Sequence, residues 1–98
     1  MENYKVVRSY GAGVFYGIVE SRADLKSGLS VVMRDARRIY YWSGAATLSQ
    51  LSVEGVKDPI NCKFPQKVDS VELMNVIEIL DLTDDAKASL DGVPVWKK

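Results

Sequence analysis

The sequence contains no histidine and only one cysteine, Cys62. The first absence removes the commonest general base, the commonest metal ligand and every Ser-His or Cys-His nucleophile pair. The second rules out an internal disulfide. No apolar stretch follows the opening Met1-Glu2-Asn3-Tyr4-Lys5 to act as a secretory leader, so the chain reads as a protein of a reducing, intracellular compartment. No apolar run approaches the roughly 20 residues needed to span a bilayer, so no membrane role is expected. Net charge is missing too, because 13 Lys/Arg balance 13 Asp/Glu. A duplex-DNA binder carries a strong basic excess, and this balance argues against duplex nucleic acid as the partner.

What is present is the composition of one folded domain spanning residues 1–98, with 47% hydrophobic and 27% charged residues. A chain this short gains from self-association, and a homo-oligomer is expected. The charge is unevenly spread. Residues 1–67 carry ten Lys/Arg against six Asp/Glu, a net +4, and residues 68–98 carry three against seven, a net −4. Either the two stretches complement each other within the fold or an oligomer, or the basic excess forms a local pocket for a small anion.

Periodicity predicts an α+β fold: a small, mainly antiparallel twisted sheet or partial barrel with two short helices. Tyr4 to Ser9 and Val14 to Glu20 read as a hairpin around Tyr10-Gly11-Ala12-Gly13, whose glycines can take positive φ. Ser21 to Gly28 reads as a polar loop. Leu29 to Met33 reads as a third strand, Asp35-Ala36 as a turn, and Arg37 to Trp42 as a fourth strand. Ser43 is placed to cap a helix from Gly44 to Glu54, with Ala45, Leu48 and Leu51 or Ser52 inward and Gly55 ending it. Val56 to Asp69 is a long connection with two prolines. Val71 to Leu80 alternates as a strand, with a bend or bulge expected at Asn75. Thr83 suits the cap of a second short helix ending at Gly92, and Val93-Pro94-Val95-Trp96 a closing edge strand.

Catalytic candidates are few. Asp81, Asp84 and Asp85 form the densest acidic cluster but lack the spacing of a calcium loop, and favourable charge at a helix start explains them better. Glu20, Glu72 and Glu78 lie on strands with nothing to pair two of them as glycosidase acids. Gly11-Ala12-Gly13-Val14-Phe15-Tyr16-Gly17 places its third glycine one residue too late for a dinucleotide loop, and a strand follows where a helix would be needed. Cys62 has no base or second cysteine nearby in sequence and suits packing. No catalytic residue, metal site or cofactor is assigned.

The dense segment is Arg37 to Thr47. Taken as a strand, it lines Arg38, Tyr40 and Trp42 along one face, and Arg37, Ile39 and Tyr41 along the other, with Ile39 and Tyr41 as core residues. Aromatic rings offer stacking area to a base, and arginine offers charge-assisted contacts to phosphate, a role open to both Arg37 and Arg38. The strand then enters a helix through Ser43, Gly44, Ala45 and Ala46. Free backbone amides there, with the Ser43 and Thr47 hydroxyls, could hold an anion. Lys63, with Lys57 and Lys67 in the same connection, could close over it. Packing gives an equal account of these residues: aromatics favour strands, small residues let a helix approach a sheet, and arginine guards a sheet edge.

The stretches Ala-Gly-Val-Phe (12–15), Asp-Ala-Arg-Arg-Ile-Tyr-Tyr-Trp-Ser-Gly-Ala-Ala-Thr-Leu-Ser-Gln-Leu (35–51), Glu-Gly-Val-Lys (54–57), Asn-Cys-Lys-Phe (61–64) and Val-Pro-Val-Trp (93–96) resemble a family of short tailed-phage and prophage proteins of unknown function. The resemblance implies phage origin and the host cytoplasm. By analogy with small phage proteins that sequester immune signals, it suggests a non-catalytic sponge for a cyclic-nucleotide or ADP-ribose-type ligand. A protein-interaction module and a small carboxylate-dependent hydrolase are the alternatives.

Overall fold

The computed structural model describes residues 3–98. Its elements are β1 (Tyr4–Ser9), β2 (Gly13–Leu25), β3 (Gly28–Arg38), α1 (Leu48–Glu54), β4 (Val68–Asp81) and α2 (Asp84–Asp91), with one short 3-10 turn at Pro59–Asn61. The strands form an antiparallel ring in which β1 joins β2 to β4 and β3 joins them from the other side. The α+β expectation of a small curled antiparallel sheet with two short helices is met.

Strand alternation sorts the apolar side chains into two cores. Val7, Phe15, Val31, Met33, Ala36, Leu73 and Val76 come from all four strands and fill the ring. Val6, Val14 and Tyr16 point from β1 and β2 to the other face, where Ile39, Leu51, Phe64, Ala86, Leu90 and Val93 cover them. Val6 and Val7 of β1 and Val14 to Tyr16 of β2 are therefore buried on both faces of the sheet.

The hairpin turn is as expected, with positive φ at Gly11 and Gly13. Beyond it several boundaries move. Ser21 to Leu25 is strand, not loop, and pairs with Val32 to Gly28. Its side chains are exposed on both faces, so they carry no alternation to read, while the ladder to β3 supplies the hydrogen bonds. β3 does not turn at Asp35-Ala36. Asp35 takes φ 51°, and the register shifts where Tyr16 pairs with Arg37 and Ile18 with Arg34. Two β3 residues thus oppose Gly17, a bulge that bends the strand without ending it. A Cβ on Gly17 would lie 2.9 Å from the Ala36 Cα, which is why glycine stands there.

The expected strand over Arg37 to Trp42 stops at Arg38, and the expected closing strand Val93–Trp96 is reduced to a parallel bridge between Phe64 and Val95. α1 begins at Leu48, capped by the Thr47 hydroxyl, which accepts the Gln50 amide at 3.1 Å. Gly44 cannot begin it because its φ of 94° is left-handed. Gly55 and Gly92 end the two helices, and Thr83 caps α2 with Asp84 and Asp85 in the first turn. The bulge at Asn75 is present, with φ 55°. It reverses the parity of β4, so Val76 turns inward and Ile77 is exposed. The basic and acidic halves do meet within the fold, through Lys5–Asp81, Arg8–Glu78 and Lys67–Asp91.

Candidate functional site

The residues of the dense segment separate into a buried group and a surface group. Arg37 belongs to the first. It is only 3% exposed. Its Nε donates to the Pro65 carbonyl at 2.8 Å, Nη1 to the Leu90 carbonyl at 3.1 Å and the Tyr16 hydroxyl at 3.5 Å, and Nη2 to the carbonyls of Phe64 at 3.2 Å and Val93 at 2.8 Å. Those contacts use all five guanidinium N–H groups. The expectation that Arg37 binds phosphate is therefore corrected: no donor remains for a ligand. The parity that put Ile39 in the core put Arg37 there as well.

A charge so enclosed needs compensation. Tyr16 relays it, donating its hydroxyl to Asp91 Oδ1 at 2.9 Å, where Lys67 and Lys87 also pair. Burial is the main reason the Tyr16 hydroxyl is pushed above its ordinary 10.0; the nearby Asp91 carboxylate adds to this and Arg37 opposes it. At Asp91 burial works to raise the carboxyl, but hydrogen bonds from Lys87 and Tyr16 and the charges of Lys67 and Lys87 outweigh it and hold the group below its ordinary value.

The anion cradle at Ser43 to Ala46 is likewise filled by the protein itself. The Ser43 amide donates to Cys62 Sγ at 3.3 Å and its hydroxyl to Asp58 at 3.0 Å. The Ala46 amide donates to Gln50 Oε1 at 2.8 Å, the Ala45 carbonyl accepts the Trp42 indole at 3.2 Å, and the Thr47 hydroxyl is the cap of α1. A Cβ on Gly44 would lie 2.5 Å from the backbone nitrogens of Lys57 and Asp58. This glycine is small so that two chain segments can touch. Trp42 packs against the helix-side core. Ser43, Gly44, Ala45, Thr47 and Trp42 therefore serve the fold, and their ligand assignment is corrected on those contacts.

Besides Thr47, whose hydroxyl is committed to the cap, three of the expected site residues are exposed: Arg38, Tyr40 and Lys63. Tyr40 is 63% exposed and stacks on Trp96 with ring centroids 5.3 Å apart and planes within 5°. Lys63 Nζ lies 5.6 Å from the Trp96 ring and 5.9 Å from the ring of Tyr41, which is itself 52% exposed and not the core residue expected. Backbone bonds fix this geometry. The Tyr40 and Tyr41 amides share the Lys63 carbonyl at 3.2 Å, the Lys63 amide donates to Tyr41, and the Trp96 amide donates to Phe64 at 2.9 Å. Lys57 and Lys67 do not join the group; the Lys67 ammonium instead lies between Asp35 and Asp91.

Arg38 lies one β-step from Tyr40. Its guanidinium carbon stands 4.3 Å from the Phe15 ring centroid, and Nη1 donates to the Ala12 carbonyl at 2.5 Å. Arg38 and Tyr40 line one open recess of about 360 Å³ with Gly11, Ala12 and Gly13. The pairing of Arg38 with Tyr40 was legible from strand parity. Trp96 was missed, because the only signal for it was its place in a short C-terminal stretch read as an edge strand. Tyr41 was misassigned because the strand ends before it.

Among the described residues no helix is long and apolar enough to cross a membrane. No curated protein and no solved structure gives a significant match to the chain. A family model, described as a domain of unknown function (DUF6948), matches residues 2–90, and the chain belongs to that family.

Proposed function

We propose, for a chain whose family carries no assigned activity, that it is a non-catalytic binder of a small anionic, nucleotide-like ligand, held on the face formed by Arg38, Tyr40, Lys63 and Trp96. The observation that carries this reading is the exposed Tyr40–Trp96 stack with Lys63 beside it. Flat rings accept a base by stacking, worth about 1–3 kcal/mol per base. Lys63 and the N–H groups of Arg38 not used by Ala12 supply the positive charge for phosphate. The four residues of this face include no carboxylate, serine, threonine or cysteine, and their aromatic, guanidinium and ammonium groups suit holding an anionic ligand. The resemblance to phage proteins suggests the host cytoplasm as the setting, the analogy with immune-signal sponges suggests sequestration of a nucleotide-derived signal as the role, and the short chain suggests a homo-oligomer.

Native mass spectrometry of the purified protein with cyclic dinucleotides, cyclic oligonucleotides and ADP-ribose derivatives tests this reading and gives the subunit number. Intact ligand recovered from the complex, and lost with Tyr40→Ala and Lys63→Glu, supports it. Conversion of the ligand points to an enzyme.

A second reading, an interaction module, is favoured by the apolar exposure that continues from this face at Val95, bridged to Phe64. Tyr, Trp and Arg on one open surface are also the residues that dominate protein interfaces. Absence of any nucleotide complex, with a host or phage protein captured by the wild type and not by Tyr40→Ala, selects it.

A further inference from the structure

β1 has six residues and β4 fourteen, so β1 cannot cover the whole of β4. β1 pairs with Val76 to Asp81 only, whereas β3 pairs with Val68 to Val76. The β1-side edge of β4 is thus without a strand partner from Val68 to Met74 among the described residues. The last groups occupied on that edge are the Met74 carbonyl, which accepts the Ser9 hydroxyl, and the Asn75 carbonyl, which accepts the Tyr10 amide at 2.9 Å. The register with β3 is uninterrupted between Val31 and Ala36. In an antiparallel ladder the N–H and C=O of one residue point to the same side and alternate along the strand. The outward direction of Met74 therefore recurs at Glu72, Ser70 and Val68.

A recess of about 300 Å³ adjoins this edge. It is lined by Val68, Ser70 and Val71 of β4, by the apolar Phe15, Ala36 and Pro65, and by Arg38 and Gln66. Ala36 pairs with Val68, so Arg38 stands just past the level of Val68, and its guanidinium turns toward Phe15 and Ala12 of the first hairpin. Apart from Nη1, which holds Ala12, the Arg38 guanidinium has no protein acceptor among the described residues.

We propose that this edge takes the C-terminal end of a partner protein as an added strand. An open strand edge supplies main-chain hydrogen bonds, an adjoining apolar recess takes one side chain, and a cation takes a carboxylate. The three lie in a fixed order. A peptide running antiparallel to β4 along Met74 to Val68 brings its C-terminus to Arg38 and its last apolar side chain to the recess. This site shares Arg38 with the aromatic face but not the Tyr40–Trp96 stack, and it lies on a different element, β4.

The test is a titration of ¹⁵N-labelled full-length protein with acetylated extended pentapeptides ending in Val, Leu or Phe, each as free acid and as carboxamide. The expected result is a shift and slowed hydrogen exchange at the amides of Val68, Ser70 and Glu72, with the free acid binding at least about ten-fold tighter than the amide. Arg38→Gln should abolish that difference, and Trp96→Ala should leave it intact. If no peptide perturbs those three amides, or if acid and amide bind equally, the proposal is overturned. If binding is lost with Trp96→Ala and kept with Arg38→Gln, the peptide sits on the aromatic face and this edge is not the site.

Discussion

Arg37 Nη2 donates to the backbone carbonyl of Val93 at 2.8 Å, joining the end of β3 to the segment that follows α2. With its other contacts to Pro65, Phe64 and Leu90, one side chain ties the end of β3 to two further chain segments, which are paired with each other by the isolated bridge between Phe64 and Val95. Arg37→Met removes every donor and leaves several buried carbonyls unpaired, at about 1–3 kcal/mol each. We expect a loss of at least about 3 kcal/mol. For a chain of this size that means a fall in melting temperature of more than about 10 °C. Arg37→Lys keeps the charge but offers three donors on a different geometry, and should recover less than half of the loss. Thermal unfolding followed by circular dichroism checks both; an unchanged midpoint for Arg37→Met would contradict the staple.

Tyr40 and Trp42, two residues apart, should respond in opposite ways. Tyr40→Ala truncates an exposed ring and should weaken ligand binding about ten-fold or more, by loss of one stacking contact, with little change in stability. Trp42→Ala empties a place beside the helix-side core and should cost about 2 kcal/mol or more of stability. Calorimetric titration and thermal melts on the same two variants separate the roles. A stable Trp42→Ala protein that cannot bind would return Trp42 to the ligand face.

At high pH the Tyr16 hydroxyl should control unfolding. Its folded value lies above the ordinary 10.0, chiefly through burial. The folded protein holds this proton more tightly than the unfolded chain does. Its contribution is fully present below pH 10.0 and is lost as pH rises toward the folded value. Tyr16→Phe should flatten the alkaline limb of a stability–pH curve measured by urea unfolding between pH 8 and 11. A limb of unchanged steepness would assign alkaline loss to other groups.

At low pH Asp91 should act in the opposite sense. Its folded value lies below the ordinary 3.8, because Lys87, Tyr16 and Lys67 outweigh the effect of burial. The stabilisation is present above pH 3.8 and disappears as pH falls through the lower folded value. Asp91→Asn should lose stability at neutral pH and show a shallower acid limb than the wild type in the same urea series. An acid limb identical to wild type would remove Asp91 from the network.

Gly44→Ala tests whether the small residues after Trp42 serve packing. Its φ of 94° is costly for alanine, and the added Cβ would meet backbone at 2.5 Å, which no rotamer change relieves. We expect destabilisation by at least about 1–3 kcal/mol. Any ligand affinity that remains in the folded fraction should be unchanged, because no Gly44 group faces the ligand. A stable variant with lost affinity would instead support an anion cradle there.

Much of the fold was legible in the sequence because it depends on local chemistry. The glycines of the first turn, the Thr83 cap followed by two acidic residues, the stops at Gly55 and Gly92, and the break at Asn75 are each decided by what one or two residues can do with their own backbone. The missing histidines and the charge balance likewise need no structure to be read. Strand parity also set Ile39 in the core and placed Arg38 beside Tyr40. What only the tertiary structure decided was which polar groups are already occupied. Arg37 and Arg38 are neighbours of the same type, yet one is closed off by carbonyls from 27 to 56 residues further along the chain and the other keeps donors for solvent. Trp42, expected on the ligand face, packs toward the helix-side core, and Trp96, expected only in an edge strand, reaches the aromatic face, for the same reason: the core that covers the first and the tyrosine that stacks on the second come from long-range contacts. Local propensity and period specify an element and its inward face, whereas the availability of a side chain for function depends on what the rest of the chain brings to it.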